Sequence, residues 1–331
     1  MTPPATTVDA HHHVWDLSVR DQEWITGEEL APIRRSFTLA DLEPEARAAG
    51  VGATVLVQTV SVAEETPEFL ALARGSDLVA GVVGWTDLTA PDVAGTLAAL
   101  RALPGGDLLT GIRHQVQGES DPRWLLRPDV LRGLAAVADA GLAYDLIVRP
   151  HQLPAATAAA ALLPGLTFVL DHAGKPPVAR GRLRPWADDL RALAALPNTV
   201  CKLSGLVTEA DPRHWTVDDL RPYADVLLDG FGPRRLMFGS DWPVCRLAAS
   251  YEEVLRAAHT LTAGLSGDER AAVFAGTATR VYRLGRTSPQ ARRADDGPAS
   301  GGRPGGGCGR LDTCPSCRKS KPCGSSSAIT W

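Results

Sequence analysis

Leu166-Thr167-Phe168-Val169-Leu170-Asp171-His172 is a short, almost wholly apolar run that ends on a carboxylate and an imidazole. Runs without polar alternation suit a parallel sheet covered by helices on both faces. Moving outward, the same unit recurs. On the amino-terminal side stand a helix over Leu153–Leu163 and a strand over Leu142–Arg149 stopped by Pro150. Before these come helix Pro128–Ala140, strand Leu109–His114, helix Pro91–Leu103, strand Leu78–Gly84, helix Glu64–Arg74, strand Ala53–Thr59 and helix Leu39–Ala49. The first strand runs from Val8 into His11-His12-His13, and a Trp-containing loop over Asp16–Phe37 follows it, long enough to cover a site. On the carboxy-terminal side, helix Trp186–Leu196 leads to strand Thr199–Ser204 and helix Val217–Leu228 to strand Leu236–Asp241. Helices Tyr251–Thr262 and Asp268–Tyr282 finish the body.

Eight strands alternating with helices in this length predict an α/β protein of the (β/α)8 TIM-barrel class. A doubly wound open sheet is the alternative, but it calls for a Gly-rich phosphate loop after the first strand, and none is present. The barrel is expected over 1–285. Residues 286–331 are rich in Gly, Ser, Pro and Arg without apolar periodicity and read as a disordered tail. Cys308, Cys314, Cys317 and Cys323 in that tail have looser spacing than the paired cysteines of structural zinc sites.

Composition removes several function classes. The 331 residues are 44% hydrophobic with a formal charge of −4, which leaves no basic field for nucleic acid. No apolar run approaches the ~20 residues of a membrane span. Met1–Val8 lacks a charged and an apolar signal region, so a soluble, cytoplasmic protein is expected. The body holds only Cys201 and Cys245, which is no disulfide framework, and only two lysines, Lys175 and Lys202.

A barrel of this class carries its chemistry at the carboxyl ends of its strands. This chain places His11 and His13 there on the first strand, with His12 facing the other way. The fourth strand supplies Arg113 and His114, the fifth Arg149 and His151, and the sixth Asp171 and His172 with Lys175 beyond. The seventh supplies Lys202 and Ser204, and the eighth Ser240, Asp241 and Trp242. His214 and His259 fall elsewhere. Cys201 is expected to pack against a helix, and Cys245 has no evident activator. His11, His13, His172 and Asp241 have complementary chemistry: neutral imidazoles and a carboxylate suit a divalent ion such as zinc, and the carboxylate is placed to take a proton from water. A hydrolytic site is the expectation.

Asp9-Ala-His-His-His13, Val169-Leu-Asp-His-Ala-Gly-Lys-Pro176, Met237-Phe-Gly-Ser-Asp-Trp-Pro243, Cys201-Lys-Leu-Ser-Gly205 and the closing Leu265–Leu284 segment together resemble the amidohydrolase superfamily. The specific pieces resemble its lactonase branch, which includes L-fuconolactonases and L-rhamnonolactonases, and the resemblance covers about residues 7–284. It implies hydrolysis of a sugar-acid lactone to the free aldonate. Asp241 would activate water, His172 with His11 and His13 would hold a metal or polarise the carbonyl, and Arg113, Lys175, Lys202, His114 and Trp242 would contact substrate. Members with two metals carry a carboxylated lysine where this chain has Arg113-His114, so the resemblance implies one divalent ion, zinc; some members work without metal. The rival readings are a carboxylated lactone (muconolactone or pyrone dicarboxylate), favoured by a cationic rim of Arg113, Arg149, Lys175 and Lys202, and a metal-dependent decarboxylase. A non-enzymatic binding protein is a third. The expected partners are a small lactone and, at most, further copies of the same chain.

Overall fold

The computed structural model describes residues 6–285; the tail expected over 286–331, with its four cysteines, lies outside the described residues. Eight strands form one sheet in sequence order: β1 (Thr7–His12), β2 (Val51–Val57), β3 (Val79–Gly84), β4 (Leu109–His114), β5 (Ala143–Leu146), β6 (Phe168–Leu170), β7 (Thr199–Leu203) and β8 (Leu236–Phe238). Every neighbouring pair is parallel. The ring closes through the main chain beyond β8, where the His13 amide donates to the Trp242 carbonyl (2.7 Å) and the Asp241 amide to the His11 carbonyl (2.8 Å). This is the TIM-barrel α/β architecture that the repeating apolar runs predict.

Helices α1 (Leu39–Ala48), α2 (Glu65–Arg74), α3 (Val93–Ala102), α4 (Pro128–Asp139), α5 (Leu153–Leu162), α6 (Trp186–Ala194), α7 (Val217–Phe231) and α8 (Tyr251–Leu261) follow the strands in turn. Several start where a hydroxyl and a carboxylate cap the free amides reciprocally, as Ser250 and Glu253 do at α8. The last helix, expected over Asp268–Tyr282, runs as α9 (Gly267–Ala271) and α10 (Thr277–Val281), continuous through a π-helical segment over Ala272–Gly276. Val273, Phe274 and Ala275 in that segment are all buried. No helix among the described residues is long and apolar enough to cross a membrane.

Two apolar clusters result. The larger lies between the strands and the helices. The smaller joins inward-facing Val8, Ala10, Val55, Val57, Val83, Ala143, Val169, Val200 and Met237 to Ala275, Ala278 and Tyr282 of the closing segment. The barrel is thus filled with hydrocarbon next to its closing segment, and its chemistry is confined to the strands' carboxyl ends.

Candidate active site

Strand alternation decides which side chains enter the barrel. In β4 to β7, Arg113, Asp145, Asp171 and Lys202 each stand two residues beyond Gly111, Ala143, Val169 and Val200, and share their inward direction. In β1 the parity changes. Val8 and Ala10 belong to the inner cluster, yet His11 and His13 also reach inward; a register irregularity between Asp9 and His12 accommodates the change. His12 is left facing outward, as its place between the other two predicts.

Four atoms converge at this end. His11 Nε2 lies 3.1 Å from His13 Nε2. Asp241 Oδ1 lies 3.8 Å from His11 Nε2, 3.6 Å from His13 Nε2 and 3.7 Å from His172 Nε2. All four side chains are buried. His11, His172 and Asp241 form a compact candidate metal-ligand set, and His13 adds a fourth donor. Each of these four separations is short enough for the two atoms to share one ion at zinc–ligand distances of about 2.0–2.2 Å. Donor chemistry agrees. His13 Nδ1 must carry its proton to donate to the Val57 carbonyl (2.8 Å), so its Nε2 offers a lone pair. His172 Nδ1 is held by the Ser204 hydroxyl at 2.9 Å, which aims its Nε2 at Asp241.

Burial lowers the basicity of the imidazoles. It brings His172 down to about 4, against the pull of Asp241 and Asp171. It carries His11 well below its ordinary value with help from Lys202, and His13 also falls, chiefly by burial. Asp241 moves the other way from a buried acid: burial alone would raise it, but His172, His13 and Lys175 hold it below the usual carboxylate range. Neutral imidazoles beside an ionised carboxylate are the protonation states that both a cation and a general base require.

The backbone is bent to make this arrangement. His172, Ala173, Gly174 and Lys175 all have positive φ (50°, 55°, 67° and 54°), a left-handed turn that L-residues adopt at a cost of about 1–2 kcal/mol each. Asp241 also has φ +58°. Two glycines make room. A Cβ on Gly205 (φ +65°) would meet His172 side-chain atoms at 2.7 Å, and one on Gly239 would meet the His11 Cβ at 2.8 Å. Asp9 ties the ends of the barrel together. It accepts from the Ser240 amide (2.8 Å), the Ser240 hydroxyl (2.6 Å), the His11 amide (3.1 Å) and the Tyr251 hydroxyl (3.0 Å).

Beneath His11 lies a layer of ions. Lys202 Nζ contacts Asp145 Oδ2 (2.5 Å), Asp171 Oδ1 (2.9 Å) and His11 Nδ1 (3.0 Å). Arg113 donates to Asp171 Oδ2 (2.9 Å) and to the Gln58 side chain (2.9 Å) and carbonyl. Tyr282 from the closing segment donates to Asp145 (2.8 Å). Burial raises Asp145 to about 6 even with Lys202 opposing it. Asp171 is held well below the usual range because Lys202, His11 and Arg113 outweigh its burial.

The structure therefore gathers His11, His13, His172 and Asp241, and seats Arg113 and Lys202 under them in contact with carboxylates rather than at the mouth. Trp242 is fully buried against Phe37. Lys175 stands at the rim, 3.7 Å from Glu209. His114 is also at the rim, stacked on Trp124, bonded to Glu119 (2.7 Å) and receiving the Trp85 indole N–H (3.0 Å). His151 and His214 are exposed, and His259 contacts Arg270 (2.9 Å). Cys201 and Cys245 are buried thiols whose pKa burial pushes up. Asp9, Asp145, Glu209 and Tyr282 carry parts of the site that sequence reasoning did not single out. For Asp145 a signal existed: a lone acid at inward parity in an apolar strand.

With that geometry, residues 8–284 match the amidohydrolase family model. An L-fucono-1,5-lactonase of Burkholderia multivorans is 43% identical over 291 residues, spanning 85% of this chain and 97% of that protein. An L-fucono-1,5-lactonase of Burkholderia ambifaria is 40% identical over 285 residues, with the same 85% and 97% coverage. Among solved structures, an amidohydrolase from Burkholderia multivorans with bound zinc is 43% identical, with TM-score 0.79 over 85% of this chain and 100% of that one.

Proposed function

We propose, from the premise that this chain belongs to the amidohydrolase family, that it is a lactonase opening a neutral sugar-acid lactone of the L-fuconolactone type to the aldonate. The observation that carries this reading is a buried, ionised Asp241 set 3.6–3.8 Å from three imidazole nitrogens. The names of the 40–43% identical relatives supply the substrate class. His11, His13, His172 and Asp241 would hold one divalent ion, and the zinc in the related Burkholderia multivorans structure makes zinc the choice. When bound, that ion supplies Lewis-acid polarisation of the carbonyl.

The chain's own groups do the rest. Asp241 takes a proton from water as its oxygen bonds to the lactone carbonyl carbon. The imidazoles around it are uncharged, so they do not compete for that water as acids. When the tetrahedral intermediate collapses, the ring C–O bond breaks, and protonated Asp241 returns the proton to the departing ring oxygen. One water is consumed and one hydroxy acid is released. Asp9, which anchors Ser240 directly before Asp241, acts as a positioning residue.

The test is a panel of aldono-1,4- and 1,5-lactones followed by acid release in weak buffer. Wild-type protein is expected to hydrolyse a subset. Asp241→Asn is expected to lose at least about 100-fold in kcat/KM, as removal of a general base does. An Asp241→Asn variant as active as wild type would overturn the mechanism, and no turnover of any lactone by the wild type would overturn the assignment.

A further inference from the structure

We infer that Glu209, facing Lys175 at the mouth, is a specificity-determining residue: it accepts hydroxyl hydrogens of a neutral polyhydroxylated lactone and turns away carboxylated ones. This rests on the lactonase reading and narrows its substrate class. Lys175 completes the left-handed turn that begins at His172, and Glu209 follows Ser204 and Gly205, the residues that hold and make room for His172. The Glu209 carbonyl accepts from the Ala179 amide (2.9 Å), which ties the two loops together beside that turn. Around it the charged groups of the site are sealed. Lys202, Asp145 and Asp171 are inaccessible, whereas the Lys175 and Glu209 side chains keep 16% and 27% of their surface exposed.

Charge decides the class. A carboxylated lactone needs unopposed positive charge at the mouth. Arg113 faces Asp171, Lys202 faces Asp145 and Asp171, and Lys175 faces Glu209. The second polar edge, His114, brings another carboxylate, Glu119. Three of the four cations of the rim that would favour a dicarboxylate therefore face carboxylates, and the fourth, Arg149, acts on Glu209 alongside Lys175. A sugar lactone needs acceptors for its hydroxyls instead, and a carboxylate engaged at 3.7 Å retains acceptor capacity that a tight bidentate pair would use up. Burial and the Asp241 charge push the Glu209 carboxyl up, while Lys175 and Arg149 draw it down.

The experiment compares a neutral lactone, L-fucono-1,5-lactone, with an anionic one of similar size, glucaro-1,4-lactone, on the full chain. Glu209→Gln is expected to raise KM for the neutral lactone about tenfold with kcat nearly kept, and to shift the neutral-to-anionic ratio of kcat/KM about tenfold toward the anion. Lys175→Met, which removes the larger of the two cationic influences on Glu209 and leaves Arg149, is expected to move that ratio the other way, a response that mere loosening of the loops would not give. If the wild type opens the neutral lactone but Glu209→Gln leaves both KM and the ratio unaltered, the Glu209 assignment falls and the lactonase reading stands. An equal loss of kcat on both lactones also overturns it, since that marks an effect on Asp241. If the wild type opens neither lactone, the Glu209 assignment falls, and the aldonolactone panel decides the lactonase reading.

Discussion

Within one side-chain repeat the barrel interior changes from hydrocarbon to ions. Ala143, Val169 and Val200 pack with Val8 and Met237, while Asp145, Asp171 and Lys202, two residues further along, are ion-paired with one another, and Arg113 joins them through Asp171. The two layers are about equally buried, so accessibility does not separate them. The hydrocarbon layer stabilises the fold at about 25 cal/mol per Å² removed from water. The ionic layer does not stabilise by that route, because desolvating four charges offsets most of their mutual attraction. Its worth lies in what it holds: His11 Nδ1 sits between Lys202 Nζ and Asp171 Oδ1 at 3.0 and 3.3 Å. The difference teaches that one layer is kept for the fold and the other for the site above it.

The sharpest way to break this comparison is to remove one ion. Lys202→Met leaves Asp145 and Asp171 facing each other without their shared cation, and breaking a buried pair costs about 3–5 kcal/mol. Val200→Ala, one layer below, is expected to cost about 1–3 kcal/mol. Urea unfolding of both variants checks the order. If Lys202→Met proves the milder of the two, the ionic layer is not a matched set. The double variant Lys202→Met with Asp145→Leu is expected to recover part of the loss, since paired removal spares the orphaned charge.

Next in size is a change that leaves both layers intact and moves only the group above them. Gly205→Ala puts a methyl within 2.7 Å of the His172 ring and asks an L-residue to hold φ +65°. His172 must shift, and zinc affinity measured by competition with a chelating dye is expected to fall about 10–100-fold, the range seen when a ligand loses its support. An unchanged affinity would mean that His172 does not hold the ion.

How much of this could be read beforehand follows from what period and parity encode. The eight apolar runs and their helices set the barrel, because each strand's burial on both faces is written locally. Residues at strand ends were equally legible, so His11, His13, His172 and Asp241 were assembled from sequence alone. The partners of Arg113 and Lys202 were not. The family resemblance implies substrate contacts for both, whereas their carboxylates come from different strands, Asp145 from β5 and Asp171 after β6. Which inward side chains share a level depends on the stagger between strands, and no single run of sequence carries it. The left-handed turn at His172–Lys175 was hidden for a related reason: only Gly174 in it announces positive φ.

The smallest expected effect concerns His12, the residue that the parity change in β1 turns away from the site. It is fully buried, and neither ring nitrogen has a hydrogen-bond partner among the described residues. Burial drops its pKa to about 3, with His13 adding to the shift. An unsatisfied buried polar group costs about 1–3 kcal/mol, so His12→Leu is expected to be at least as stable as wild type at pH 7. The sign on acidification follows from linkage. A histidine that ionises near 6.5 when unfolded and near 3 when folded contributes stability that is present above pH 6.5 and lost as pH falls toward 3. His11, His13 and His172 act in the same direction. Asp9 and Asp145, each raised to about 6, oppose them between about pH 6 and 4, because the folded state then binds their protons first. Glu65 and Glu209, which burial also raises, oppose the four imidazoles as well. His12→Leu removes one of the four, so the gap between variant and wild type should widen by about 1.4 kcal/mol for each pH unit below roughly 6. Urea midpoints at pH 7, 6 and 5 measure it. A gap that stays constant across the three would mean that His12 finds a partner for its charge, and that the outward face of β1 is not the apolar surface it is taken to be.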